Sequence, residues 1–208
     1  MTPMRVQVSW KTGLALSLVS CLLLAGCITE PGTADDDATN TFVRINSVTS
    51  ESGALGQAET GTDLLSDVCF ADEDHPPCTY FNDNAIVTFT ANPKDATQLS
   101  SQINDITFER YRVTYIRADG RNVPGIDVPY AFDGVSTFTV PLGTEVERSF
   151  IVVRHQAKIE SPLREISLNT GAILSVLAQI DFYGRDIAGR AIKVTGYLNI
   201  TFADFANE

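Results

Sequence analysis

The chain has 208 residues, of which 44% are hydrophobic and 20% are charged. This length is enough for one domain with a buried core and additional segments, and the hydrophobic content argues against a chain that is disordered throughout. The formal net charge is −11. Because nucleic-acid binding usually needs clustered basic residues, the composition indicates an acidic globular protein that does not bind nucleic acid.

The first 27 residues have the pattern of a secretory signal. Arg5 and Lys11 form a basic start, and residues 14–26 are an uncharged, mostly apolar stretch. This stretch is too short for a transmembrane helix, which needs about 20 apolar residues, so it predicts a signal peptide. Cys27 follows this stretch directly and completes the tetrapeptide LAGC, in which small residues precede the cysteine.

The tetrapeptide LAGC resembles the lipobox of bacterial lipoproteins. This resemblance implies that residues 1–26 are removed, that Cys27 carries a diacylglycerol on its thiol, and that its freed amine is acylated. In Gram-negative lipoproteins an aspartate at the next position commonly marks retention in the inner membrane. The chain has Ile28 there, so we expect the outer membrane if the cell has one. An ordinary signal peptide with a chance cysteine is the alternative.

Residues 27–41 are predicted to be an acidic, flexible tether that begins at the lipidated cysteine, because they contain proline, glycine and three consecutive aspartates. Removing the signal peptide removes two basic residues and no acidic one, so the net charge changes from −11 to −13. Residues 28–83 contain 12 acidic residues and one basic residue, whereas residues 84–208 contain 14 and 12. This asymmetry is typical of a solvated stalk that an anionic membrane surface repels.

Residues 42–208 are predicted to form one all-β domain. Apolar residues recur at every second position in four stretches, as half-buried strands require: residues 85–91, 106–115, 174–182 and 192–202. In the second stretch the alternation changes phase between Phe108 and Tyr111, which predicts a β-bulge near Glu109 and Arg110. Shorter candidate strands are Phe42–Val48, Val135–Val140 and Glu147–His155.

The connections between these strands carry turn residues. Turn chemistry is expected at Asp119-Gly120-Arg121-Asn122, at Asp133-Gly134, and in a hairpin turn from Asp186 to Arg190. No helix of ordinary length is predicted, and only one or two helical turns are expected within residues 95–103. About seven strands joined by hairpins predict an antiparallel two-sheet sandwich. This layout is similar to fibronectin type III and immunoglobulin-like domains, and a small closed barrel is the alternative.

Cys69 and Cys78 are the two cysteines that remain unmodified once the signal peptide is removed and Cys27 is lipidated. An exported pair of cysteines usually forms a disulfide. A metal site that includes His75 is the alternative, but it lacks a second pair of cysteines or histidines. The acidic residues 72–74 could bind calcium, but they lack the spacing of a calcium-binding loop and are better explained as a solvated loop.

The sequence offers little for catalysis. His75 and His155 are the two histidines of the chain, and it contains no nucleophile elbow, no zinc-binding HExxH motif and no phosphate-binding P-loop. We therefore expect no enzyme, no cofactor and no metal. The function predicted is a lipid-anchored, non-catalytic binding or structural module of the cell envelope. Its expected partner is an envelope protein or polymer. The alternative is an accessory or chaperone-like subunit of an envelope or secretion machine.

Binding surfaces on sandwiches usually lie in loops, chiefly those spanning residues 117–132 and 184–190 here. The first loop contains arginine and aromatic residues, which are frequent at interface hot spots. Its candidate binding residues are Arg117, Arg121, Tyr130 and Phe132. An equally simple interpretation is that the two aromatic residues plug the end of the sandwich.

Overall fold

The computed structural model describes residues 39–53, 58–59, 63–68, 79–95, 97, 102–168 and 171–204. Several predictions fall outside these residues: the signal peptide, the lipidated Cys27, most of the tether, the Cys69–Cys78 disulfide, His75 and the acidic residues 72–74. They stay predictions.

Most of the described residues lie in strands, so the all-β fold class is confirmed. The described ranges contain nine strands: β1 Thr41–Glu51, β2 Ala58–Glu59, β3 Asp63–Asp67, β4 Asp83–Pro93, β5 Ile106–Ile116, β6 Phe132–Val140, β7 Glu145–Val153, β8 Leu174–Asp186 and β9 Ala191–Ala203. The helical segments there are short: a 3₁₀ turn at Gln102–Asn104, α1 at His155–Lys158 and α2 at Leu163–Ser167.

The strands form two sheets, ordered β2-β1-β4-β7 and β3-β9-β8-β5-β6. Neighbouring strands pair antiparallel, except that β3 runs parallel to β9. The second sheet is therefore mixed, and the wholly antiparallel pairing that we expected does not hold at this edge. No hairpin fixes the relative direction of these two strands, because Asp63 and its partner Asn199 are 136 residues apart.

The apolar faces of the two sheets meet in one aromatic core. The ring of Phe89, in β4, lies 5.0 to 5.5 Å from three phenylalanine rings of the second sheet, those of Phe108, Phe138 and Phe182. All four side chains are at least nine-tenths buried. This packing gives the fold a sandwich-like arrangement, with alternating residues of each strand turned inward.

The phase change predicted in β5 is confirmed. The pairing of β5 with both β6 and β8 shifts register between Phe108 and Arg110. Phe108 and Tyr111 both point into the core, although they are three residues apart, because this irregularity rotates the strand between them. The predicted turn between β8 and β9 is also confirmed, since Asp186 N donates to Arg190 O at 3.1 Å.

Two local predictions were wrong. The candidate strand Glu147–His155 ends at Val153, and His155 begins α1, where its backbone N–H donates to Asn82 Oδ1 at 2.7 Å. The dipeptide Asp133-Gly134 lies inside β6 and is not a turn. Gly134 is needed there because the ring of Tyr111 packs directly over it, where a Cβ atom would overlap the ring.

The chain comes into the domain at one end of the sheets, and the loop between β5 and β6 lies at the other end. At the first end Thr41 Oγ1 donates to Asn104 O at 2.6 Å, and Ile106 pairs with Asp186 beside the β8–β9 turn. From there β5 runs 11 residues before the loop begins. At about 3.3 Å per residue this is a distance of about 35 Å.

Candidate binding loop at the end of the second sheet

The loop between β5 and β6, residues 117–131, contains no strand but is held by backbone hydrogen bonds. Asp127 N donates to Val123 O, and Gly125 N donates to Val128 O, both at 2.8 Å. Gly125 has a φ of +77°, which a residue with a side chain rarely adopts. The loop therefore has a defined backbone conformation, which its internal hydrogen bonds and the glycine at position 125 stabilise.

Asp119 organises the first half of the loop. Its carboxylate accepts hydrogen bonds from Arg117 Nη2 at 2.6 Å and from Arg121 Nε at 3.0 Å, and it also accepts one from Arg121 N at 3.1 Å. The hydrogen bond from the Arg117 side chain, followed by that from the Arg121 backbone, holds the pKa of Asp119 well below its usual range. The structure thus brings the two predicted arginines together on one carboxylate, which the sequence analysis had treated as a turn residue.

The second half of the loop exposes apolar side chains. Val123, Ile126 and Tyr130 are 51%, 71% and 53% exposed. The Tyr130 ring lies against Gly125, where a Cβ atom would overlap it. Tyr130 is therefore fixed against the loop backbone while half of its surface remains open to solvent.

Phe132, the fourth predicted binding residue, is only 8% exposed and lies in the core beneath the loop. Its ring meets the edge of the Tyr111 ring at 6.3 Å between centroids. It matches the simpler interpretation of a residue that plugs the end of the sheets. Of the four predicted residues, Arg117, Arg121 and Tyr130 belong to the loop surface.

Arg154 covers Phe132, a contact that the sequence alone did not predict. The guanidinium carbon of Arg154 lies 4.6 Å from the centre of the Phe132 ring. Its Nε is buried and has no hydrogen-bond partner among the described residues. No sequence signal identified this contact, because Phe132 begins β6 whereas Arg154 lies 22 positions later, between β7 and α1.

A buried ion pair lies near the same end of the domain. Asp83, at the start of β4, and Lys158, in α1, are almost completely buried, with Lys158 Nζ 2.9 Å from Asp83 Oδ2. Asp83 also accepts hydrogen bonds from Ser66 Oγ at 2.6 Å and from Gly53 N at 2.9 Å. The pair connects the short helix to β3 and β4, and we assign it a structural role.

The second predicted loop, 184–190, is shorter than expected, because residues 184–186 belong to β8 and the turn occupies the next four residues. His155 is exposed, and its Nδ1 lies 3.1 Å from Asn82 Oδ1. Within the described ranges no group of three or more histidine, cysteine, aspartate or glutamate residues could hold a metal ion. Nor does any helix there have the length and hydropathy needed to cross a membrane.

No protein-family model and no curated protein matches the chain. Among solved structures, it is similar to one described as "X-ray structure of Northeast Structural Genomics Consortium target SoR45", with 10% identity over 81% of this chain and 88% of that one. The TM-score is 0.33, and a likeness this weak supports no argument about function.

Proposed function

We propose that this chain is a lipid-anchored, non-catalytic module of the bacterial cell envelope that binds an envelope protein or polymer through the loop at residues 117–131. The observation that carries the proposal is that the start of β1 and the loop at residues 117–131 lie at opposite ends of the domain. The chain comes into β1 beside Asn104, whereas the loop begins at the opposite end of β5. A domain tethered through β1 would therefore hold this loop away from the membrane.

The loop itself supports a binding role. Its backbone is hydrogen-bonded, and its arginines are held on Asp119, so little conformational freedom would be lost when a partner binds. It presents exposed apolar side chains beside arginine and tyrosine, the combination that is enriched in protein interfaces.

The loop is tested by a paired substitution with a matched control. The variant Arg121→Ala/Tyr130→Ala alters the loop, and Arg185→Ala/Tyr197→Ala removes an arginine and a tyrosine from the outer face of the second sheet. The two tyrosines are equally exposed, at 53%. After circular dichroism confirms folding, crosslinking in intact cells should lose the partner for the first variant and keep it for the second. Equal retention of the partner by both variants would reject the loop as the site.

The anchor is proposed from the tetrapeptide LAGC, with Cys27 as the lipidated N-terminus and the outer membrane as the expected location. A Cys27→Ser variant should leave the detergent phase in which the unaltered protein partitions. A variant that stays in that phase would place the anchor elsewhere. Membrane fractionation of Gram-negative host cells then tests the location.

We also propose the Cys69–Cys78 disulfide. Alkylation of unreduced protein followed by intact-mass measurement should show that both thiols are protected. Two alkylated cysteines would contradict the disulfide and favour the metal alternative, which zinc titration of protein that has not been alkylated then tests.

The finer fold that we propose is immunoglobulin-like or fibronectin type III-like. Strand order supports it: β1-β4-β7 follows the order A-B-E, and β9-β8-β5-β6 follows the order G-F-C-C′ of such domains. The parallel strand β3 is an addition at the β9 edge. An experimental structure in which β6 pairs with β7, instead of with β5, would contradict this assignment.

The runner-up function is an accessory or chaperone-like subunit of an envelope or secretion machine. The same crosslinking experiment separates the two: a structural envelope protein or polymer supports the module, and a component of a secretion apparatus supports the subunit.

A further inference from the structure

We propose that the free edge of β6 pairs with β6 of a second copy of this chain, antiparallel and about a two-fold axis through Val135. Within the part of the chain that the structure describes, the second sheet ends at β6, which pairs with β5 on one side only. The unpaired side of an edge strand presents backbone N–H and C=O groups that another strand can bind.

The other described edges are charged or very short, whereas most of β6 is uncharged. On β7, Glu145 and Glu147 are exposed, and the inward-pointing Arg148 lies over the Phe138 ring at 5.9 Å. Charged and inward-pointing side chains of this kind protect edges from association. The edge strand β3 is five residues long and has an aspartate at each end, and β2 is two residues long. In contrast, residues 134–140 of β6 contain no charge and no proline.

Val135 lies on the outer face of β6 and is 89% exposed, more than any other large apolar side chain among the described residues. Its neighbour Asp133 is paired within the domain, at 2.7 Å from Arg112 Nη1 and 3.7 Å from Arg110 Nη1. The strand therefore offers an apolar centre, and Asp133, the one charged residue of β6, is already paired with arginines of β5.

The register explains why a second copy fits this edge. An axis through Val135 places this side chain opposite the partner's Val135, and it places Asp133 opposite the partner's Thr137. Each pair lies on the outer face, because odd-numbered residues of β6 are exposed. For a chain with a net charge of −11, this edge lets two copies approach without opposing acidic residues. A register shift against β5 between Val135 and Phe138 bends the strand, which keeps the pairing short.

Disulfide trapping in the full-length, membrane-anchored protein tests the proposal. Directly opposite residues have Cβ atoms about 4.5 to 5.5 Å apart, close enough for a disulfide after small adjustments. We therefore expect Val135→Cys to form a linked homodimer on mild oxidation. The control is Tyr197→Cys, an exposed position of β9 on the same face, in the same background of native cysteines.

A dimer that forms with Val135→Cys, but not with the control, supports the pairing. A dimer fraction no greater than that of Tyr197→Cys overturns it. A second measurement does not need cysteine chemistry: Val135→Lys should lose the dimer that the unaltered protein forms in sedimentation velocity. A protein that sediments as a monomer at every concentration also overturns the proposal. Because Val135 is so exposed, neither substitution should alter the fold, and circular dichroism checks this.

Discussion

Lys158 Nζ lies 2.9 Å from Asp83 Oδ2, and the two side chains are 1% and 0% exposed. Asp83 has further partners in Ser66 and Gly53, whereas the buried ammonium makes no directed hydrogen bond among the described residues. The contact is therefore mainly a Coulomb attraction, strengthened by the exclusion of water. Removing two charges from water is unfavourable, so each charge depends on the other.

Replacing one member of this pair should destabilise the domain strongly. Lys158→Met leaves Asp83 as a buried carboxylate without a cation, and we expect the free energy of unfolding to fall by about 3 to 5 kcal/mol. Urea denaturation followed by circular dichroism measures the change. The double variant Asp83→Asn/Lys158→Met removes both charges and should be more stable than Lys158→Met alone. A double variant less stable than the single one would show that the ion pair is not the cause.

The Tyr115 hydroxyl should contribute measurably to stability. It donates a hydrogen bond to Val152 O at 2.7 Å and is buried. Tyr115→Phe leaves this carbonyl without its donor, and we expect a loss of about 1 to 3 kcal/mol. The exposed control Tyr197→Phe should change stability by less than about 0.5 kcal/mol. Similar losses for both variants would contradict this assignment.

The same tyrosine predicts how stability changes at alkaline pH. Burial raises the pKa of Tyr115 far above its usual value, chiefly because the charged phenolate would lose its hydration. A raised folded-state pKa gives stability that is complete below the unfolded pKa of about 10 and is lost as the pH rises above it. The pH interval to examine runs from roughly 9 to 11, on both sides of the unfolded pKa. Over this interval the free energy of unfolding should fall less for Tyr115→Phe than for the unaltered protein. Denaturation at several pH values measures how steeply the free energy of unfolding changes with pH in each protein. Equal slopes for the two proteins would contradict the expectation.

At acidic pH, the titration of Asp119 should show whether Arg117 holds the carboxylate of this loop residue. The hydrogen bond from Arg117 is the largest cause of the lowered pKa of Asp119. The lowered pKa implies a stabilising contribution that is present above the unfolded pKa of about 3.9 and is lost as the pH falls below it. In an NMR titration Asp119 should protonate at lower pH than unpaired aspartates. Arg117→Gln should raise this midpoint more than Arg121→Gln does, and the reverse order would contradict the assignment.

Local alternation predicted much of the fold, because a strand with one buried face must place apolar residues at every second position. It located β5, β8 and β9 and even the bulge beside Glu109, since a bulge changes the phase of that pattern. The parallel pairing of β3 with β9 was not predictable in this way. Pairing between distant strands depends on which edge remains open after the rest of the sheet forms, and a single sequence carries no local signal for it.

In the candidate loop, too, the sequence predicted local features but not the contacts between residues that are distant in the chain. Its position and its polar and aromatic composition were visible in the sequence, and Asp119 stood in a recognised turn motif. For Phe132 the sequence left open a binding role and a role in plugging the end of the sandwich; the residue is buried, and Arg154, which follows β7, covers its ring. The Asp83–Lys158 pair was missed for a similar reason, since neither residue stands in a local motif that identifies its partner.

Arg154 should stabilise the domain through packing as well as through charge. Its guanidinium covers the Phe132 ring at 4.6 Å, while its buried Nε has no hydrogen-bond partner among the described residues. A long apolar side chain can cover the ring without a buried polar atom, so Arg154→Met should change the free energy of unfolding by less than about 1 kcal/mol. Arg154→Ala uncovers the ring and also loses the cation–π attraction, so we expect a loss of about 1 to 2 kcal/mol. Urea denaturation of the two variants decides between packing and charge. If Arg154→Met is as unstable as Arg154→Ala, the charge of Arg154 stabilises this end of the domain and its contact area does not.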